Sequence, residues 1–258
     1  MKRALSIVIG LSCALPVMAG SLETCLVAPY DADADAPRLL LEVVQEVEKA
    51  VAAFPTFRDA WAGVGSEICL SGDLHAERGY FDPANNRIVL DSALPLGLMG
   101  AVLLHELRHA EQYQRSICPS IEMDMAAYAR GTFALEADAN VTSVVVAWHA
   151  RTEGQVAFWQ ALQAWEMSAD IADRFEEVME RTDDISLAAA AAFDQWYASD
   201  VRRELYYIAS CSAFLDEQDR THALSRYGEI PEDYFARLCR LPDGRAYDCV
   251  EGVLGRAK

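Results

Sequence analysis

The spacing of apolar residues along the chain predicts a mostly helical protein. From Pro37 to Phe54, leucines and valines recur at steps of three and four, which is the period of one helix face. Almost everything after Pro95 follows the same period, beginning with an apolar run that ends at Leu104. Beyond that run we predict further helices, over residues 126–148, 155–164, 171–180, 187–197 and 201–215.

The segment from Ile68 to Ser92 has a different pattern. Short runs of β-branched and aromatic residues alternate there with turn-forming residues, and Asn85 and Asn86 separate the last two runs. These features predict a small antiparallel sheet with a turn at the two asparagines. The predicted fold class is therefore α+β, mostly α, with the sheet packed on the helix that follows Pro95 and with a helical C-terminal extension.

The first 19 residues have the pattern of a signal peptide. Basic Lys2 and Arg3 precede an apolar run, and Ala19 offers a small residue for cleavage. The apolar run is shorter than the roughly 20 residues needed to span a bilayer. A lipoprotein signal at Cys13 is disfavoured because Gly10 stands where a Leu-like residue is required. We therefore predict an exported protein, periplasmic or secreted, with a cleaved signal peptide and no membrane anchor.

Acidic residues dominate the charge of the chain. Of its 258 residues, 40 are acidic and 22 basic, and loss of Lys2 and Arg3 on cleavage would change the net charge from −18 to −20. A field of this sign repels polyanions, so we expect neither nucleic acid nor an anionic membrane surface as a partner. Hydrophobic residues make up 52% of the chain, which is enough for one sizeable core, and no Gly-rich or Pro-rich linker divides it.

Six cysteines remain after the predicted cleavage, and an even number in an exported chain predicts disulfides. We expect all six to be oxidised. Cys239 and Cys249 bracket a turn-like segment and are predicted to pair, whereas the pairing of the other four stays open. The chain has no Cys-x-x-Cys pair, so a cysteine-based zinc site is disfavoured. The six are Cys25, Cys69, Cys118, Cys211, Cys239 and Cys249.

The strongest chemical signal is the segment His-Glu-Leu-Arg-His at residues 105–109. Two residues four apart on a helix lie within about 40° of the same face, so both imidazoles can point at one ion. Glu106 is then a neighbour of the ion without being a ligand. This is the geometry of a zinc hydrolase, in which a carboxylate takes a proton from water made acidic by the metal. The pattern predicts that His105 and His109 bind zinc and that Glu106 is the general base.

A zinc site with an open position needs a third protein ligand. The metzincin arrangement is excluded because Gln112 and Arg115 stand where it requires Gly and His. Glu136, in an apolar, Ala-rich helix, is the predicted third ligand. Asn140 lies one turn further on the same face, where it is expected to hydrogen-bond a ligating histidine. Asp138 points about 160° away from that face and is the alternative ligand.

These motifs resemble those of the gluzincin metallopeptidases, and more closely those of minimal gluzincin-type bacterial zinc metallopeptidases. The resemblance covers roughly residues 65–150 and rests on three segments, Gly79 to Leu90, His105 to Gln112 and Leu135 to Asn140. Larger gluzincins often have Asp where this chain has Asn140. Together with the signal-peptide pattern, this predicts a signal peptide over residues 1–19, a zincin-like metallopeptidase core over residues 20–150 and a helical extension of the same domain over residues 151–258.

The resemblance also implies roles for individual residues. The two histidines and Glu136 would bind zinc, Glu106 would be the catalytic base, and the strand from Arg87 to Leu90 would bind an extended substrate. We therefore expect an exported zinc peptidase that acts on a peptide or protein. A donor for the developing oxyanion is also expected, and four residues of the C-terminal part are candidates for it: Tyr206, Tyr207, His222 and Tyr227.

Two other functions remain open at this stage. One is a non-catalytic, zinc-containing protein that binds a partner, in which Glu106 would have no role. The other is an amidase that acts on cell-wall crosslinks, which would use the same residues as a peptidase. His149 is read as a non-ligand because it lies about 140° round the helix from Glu136.

Overall fold

The computed structural model describes residues 23–28, 30, 37–63, 67–74 and 77–252 of the chain. The predicted signal peptide lies outside these residues. None of the helices within these ranges has both the length and the hydrophobicity that a membrane span requires. The described residues are mostly helical with one small sheet, which confirms the predicted α+β, mostly α class.

The sheet has four strands, which are Thr24–Val27 (β1), Glu67–Ser71 (β2), Gly79–Asp82 (β3) and Arg87–Asp91 (β4). Their order in the sheet is β1-β2-β4-β3. The hairpin of β3 and β4 has the predicted turn, where Asn86 adopts a left-handed conformation with φ of 51°. The prediction of a wholly antiparallel sheet is wrong, because β2 pairs parallel with β4. A short hydrophobic run shows that a strand is buried but does not select the strand beside it.

The helices predicted from apolar periodicity are all present in the described residues. Two more were not predicted: Pro55–Gly63, which begins three residues after the first helix has ended, and Tyr234–Leu238, which is too short to show a period. The helices are Arg38–Val51 (α1), Pro55–Gly63 (α2), Leu96–Gln114 (α3), Met125–Thr152 (α4), Ala157–Ala164 (α5), Ala169–Thr182 (α6), Ile185–Ala198 (α7), Asp200–Thr221 (α8) and Tyr234–Leu238 (α9).

Helices α3 and α4 form the centre of the molecule. From Met99 to Gln112, α3 is buried on every side, and most of α4 is buried as well. A helix surrounded in this way lies in the core rather than on the surface. The sheet packs on α3 at Gly79, where an added Cβ would come within 2.7 Å of Val102 Cγ1. The central helices therefore carry polar residues into the least accessible part of the fold.

The cysteines confirm one prediction and correct another. The predicted Cys239–Cys249 disulfide is present, and a second disulfide joins Cys25 on β1 to Cys69 directly opposite it on β2. Cys118 is disulfide-bonded as well. Cys211 on α8 is a free thiol, so the expectation that all six are oxidised is wrong. The even count could not show this, because pairing depends on which cysteines the fold brings together.

Candidate metal centre

Two packed helices bring three metal-ligating side chains to one point. The Nε2 atoms of His105 and His109, on α3, lie 3.0 Å apart. The carboxylate of Glu136, on α4, lies 3.3 Å from His105 Nε2 and 3.4 Å from His109 Nε2. One donor atom from each residue lies within 4.8 Å of the other two. The helical spacing of the histidines and the packing of α3 on α4 produce this convergence together.

The three side chains are almost inaccessible to solvent. His105 is 4% exposed, His109 2% and Glu136 1%. Polar groups are costly to bury unless they have partners. The grouping of three such residues in a core of apolar side chains therefore indicates a site with a specific chemical purpose.

The charges of the group shift two pKa values strongly. Burial lowers the pKa of His109 and is the largest single effect, but Glu136, Glu106 and Gln112 together outweigh it and raise the pKa to about 9. Burial raises the pKa of Glu136, but His109 and His105 lower it by more, to about 2. The arrangement thus favours a positive charge between the two helices. Two imidazole nitrogens and a carboxylate oxygen are also ligands for a divalent metal ion, so the donor set fits such an ion.

Glu106 is completely buried on α3, one residue after His105. Its charge contributes to the raised pKa of His109, after the larger effects of burial and of Glu136. Glu106 is not one of the three converging residues. The structure therefore places it beside the group, where the sequence predicts the general base.

One of the four candidate oxyanion donors lies at this centre. Tyr206 on α8 is 2% exposed, and burial together with the Glu136 carboxylate raises its pKa well above the usual value. Tyr207 and Tyr227 are 52% and 84% exposed, and His222 is an exposed residue at the end of α8. The fold thus separates Tyr206 from the other three.

Gln112 is a residue of the centre that the sequence analysis did not identify. Its Oε1 lies 2.8 Å from His109 Nδ1. Asn140 was expected to make such a contact, but its amide donates instead to the Glu136 carbonyl of its own helix, at 2.9 Å. The signal for Gln112 was present in the sequence, since a residue three positions after His109 lies on the same helix face.

Asp138, the alternative ligand, is not among the converging residues. Its carboxylate accepts hydrogen bonds from Arg108, Gln112 and Tyr247. His149 packs its ring on Phe54, with 5.1 Å between ring centroids, and is likewise outside the group.

The strand from Arg87 to Leu90 cannot take an added substrate strand. It is the main part of β4, whose backbone pairs with β2 on one side and β3 on the other. An extended peptide adds only to a free sheet edge, so the expectation that the substrate pairs with this strand is wrong.

The fold and the centre define a protein with a buried His-His-Glu group suited to a metal ion. The chain belongs to the Putative metallopeptidase family (DUF6782), whose family model matches residues 18–249. No curated protein and no solved structure matches the chain. Membership of this family supports a metal-dependent peptidase.

Proposed function

We propose that this protein is an exported, zinc-dependent peptidase of the gluzincin type. His105, His109 and Glu136 would be the zinc ligands. The observation that carries the proposal is their convergence, with 3.0 to 3.4 Å between donor atoms, in a chain of a metallopeptidase family. Catalytic zinc sites commonly have three such protein ligands and an open fourth position.

Zinc, when bound, supplies Lewis acidity that polarises a carbonyl group and makes water more acidic. The protein's own residues perform the proton transfers. Glu106 accepts the proton of the attacking water and passes it to the leaving amine. Tyr206 donates a hydrogen bond to the oxygen on which negative charge develops, because a phenol keeps its proton at neutral pH.

The charge of the chain bears on the choice of substrate. A net charge of −18, or −20 after cleavage of the predicted signal peptide, creates a field that repels anions. We therefore propose that basic or neutral peptides are better substrates than acidic ones. Comparison of cleaved and uncleaved members of a peptide library would test this preference.

The decisive variant is Glu106→Gln, which removes the base but keeps the size of the side chain. We expect it to fold and retain zinc, and to cleave peptides at least about 10²- to 10⁴-fold more slowly than wild type. Elemental analysis measures the zinc, and mass spectrometry of a digested peptide library measures cleavage. Wild type with chelator serves as the metal-free control. Cleavage that survives both the substitution and the chelator would exclude a metallopeptidase.

A non-catalytic metal-binding protein is the second candidate. The low exposure of the centre favours it, since none of the three converging side chains is more than 4% exposed. Zinc-loaded wild type that cleaves no peptide would support this candidate. An amidase of cell-wall crosslinks would use the same residues, and assay on such a crosslink distinguishes it from a peptidase.

A further inference from the structure

The amide of Gln112 can face His109 in one orientation only. Its Nε2 donates to the Leu135 carbonyl at 3.1 Å and to Asp138 Oδ2 at 2.8 Å. Both partners are acceptors, so the amide nitrogen must point towards α4. The amide oxygen then faces His109 Nδ1, and an amide oxygen can only accept. His109 must therefore carry a proton on Nδ1, which makes Nε2 the atom available for a metal.

Asp138 is itself held on three sides. Arg108 donates to it twice, from Nε at 2.7 Å and from a terminal nitrogen at 3.0 Å, and the Tyr247 hydroxyl donates at 2.8 Å. Neither the Arg108 nor the Asp138 side chain has any exposed surface. The acceptor that fixes Gln112 is thus unable to turn away.

The groups that hold Asp138 come partly from the C-terminal end of the described chain. Arg108 also donates to the Leu238 carbonyl at 3.2 Å and to the Arg240 carbonyl at 2.8 Å. Arg240 and Tyr247 both lie between the two cysteines of the Cys239–Cys249 disulfide. We call residues 239–249 the C-terminal loop. A continuous set of hydrogen bonds therefore runs from this loop through Asp138 and Gln112 to His109.

We propose that Gln112 is a positioning residue that fixes His109 with Nε2 towards the metal, and that the C-terminal loop holds Gln112 in place through Asp138. This inference rests on the proposed function, because it assigns a role to residues around the proposed zinc ligands. Hydrogen-bond partners of ligating histidines typically contribute 10- to 100-fold to metal affinity. Tyr247, 109 residues from Asp138 in sequence, would then affect the centre without touching it.

Two variants test this inference, Gln112→Met and Tyr247→Phe, and the chain offers a matched control for each. The control for Gln112 is Gln195, whose amide donates to Asp170 at the same 2.8 Å as the Gln112 amide donates to Asp138. Asp170 is paired with Arg202 and makes no bond to the metal centre. The Tyr234 hydroxyl donates to the Gly131 carbonyl of α4, as Tyr247 donates to Asp138 of the same helix. Gln195→Met and Tyr234→Phe therefore remove equivalent bonds that do not lead to His109.

The first measurement is zinc affinity, by competition with a chelating dye at constant pH. We expect Gln112→Met to bind zinc about 10- to 100-fold more weakly than wild type. Tyr247→Phe should show a smaller loss of zinc affinity, but its affinity should still be measurably lower than that of its control, Tyr234→Phe. The second measurement is a histidine side-chain NMR spectrum of the zinc form. A protected Nδ1 proton of His109 is expected in wild type and in Gln195→Met and is expected to be lost in Gln112→Met.

A purely structural role for Gln112 would lower thermal stability but leave the Nδ1 proton and the zinc affinity of the folded protein unchanged. That result would overturn the inference while the proposed function stands. If Gln112→Met does not fold, Tyr247→Phe decides: equal zinc affinity in Tyr247→Phe and Tyr234→Phe would overturn the role of the C-terminal loop. Wild type that binds no zinc would overturn the proposed function and this inference together.

Discussion

The molecule contains two arginine–aspartate pairs of nearly the same construction. Arg108 and Asp138 join α3 to α4, and Arg202 and Asp170 join α8 to α6. In both pairs the arginine side chain is no more than 2% exposed and donates to backbone carbonyls as well, and in both the aspartate accepts a glutamine amide at 2.8 Å.

The pairs differ in what lies beyond the aspartate. The Asp138 side chain has no exposed surface, and Gln112, which donates to it, also makes a hydrogen bond with His109. The Asp170 side chain is 38% exposed, and its glutamine belongs to α7, so the pair connects three helices near the surface. The same ionic chemistry thus supports a candidate metal ligand in one region and helix packing in the other. Its position in the fold, and not the type of interaction, decides its consequence.

The largest expected effect comes from Asp138→Asn. This change leaves Arg108 as a buried charge without its full counter-charge, and breaking a buried pair in this way costs about 3 to 5 kcal/mol. We expect the urea midpoint of unfolding to fall steeply and zinc affinity to fall with it. Equilibrium unfolding of the metal-free protein separates the two effects. A midpoint close to that of wild type would show that the pair adds little to stability.

A smaller effect distinguishes the two regions by their response to metal. Bound zinc should raise the free energy of unfolding by about 2.7 kcal/mol when free zinc is 100 times the dissociation constant. Asp170→Asn should keep this increment, because the hydrogen bonds of Asp170 go to Gln195 and Arg202 and to none of the three converging residues, and changes without shared partners usually add. Thermal unfolding with and without chelator measures the increment. An increment that changes in Asp170→Asn would show that the two regions are coupled.

The smallest effect is the stability change in Asp170→Asn itself. Water reaches Asp170, so we expect a loss of only about 1 kcal/mol at neutral pH. Burial raises the pKa of Asp170, but Arg202 and Gln195 lower it by more, so the folded state has the lower pKa. The contribution is therefore complete above the unfolded pKa and disappears as the pH falls through the folded pKa. Unfolding curves of both proteins from pH 7 down to about pH 3 should converge, and a constant difference would contradict this account.

Sequence reasoning succeeded where one local pattern was sufficient. A period of three and four marks a helix without knowledge of its neighbours, and the spacing of His105 and His109 places both on one face. The partner strand of β2 could not be read in this way, because its hydrophobic run fits either neighbour. The bond between Tyr247 and Asp138 spans 109 residues and depends on the tertiary fold. Asn140 was predicted to hydrogen-bond a histidine only because it lies on the same helix face as Glu136. In the structure its amide donates to the Glu136 carbonyl of its own helix.

The near-complete burial of His105, His109 and Glu136 has a kinetic consequence. Under the proposed peptidase function, a polypeptide substrate would reach these residues only in molecules whose core has opened, and its apparent affinity would be the intrinsic affinity multiplied by the open fraction. An opening free energy of about 2.7 kcal/mol leaves one molecule in a hundred open and weakens apparent binding about a hundredfold. Turnover would then report how often the core opens, and a substrate that is slow with the intact protein would speed up under conditions that loosen its packing.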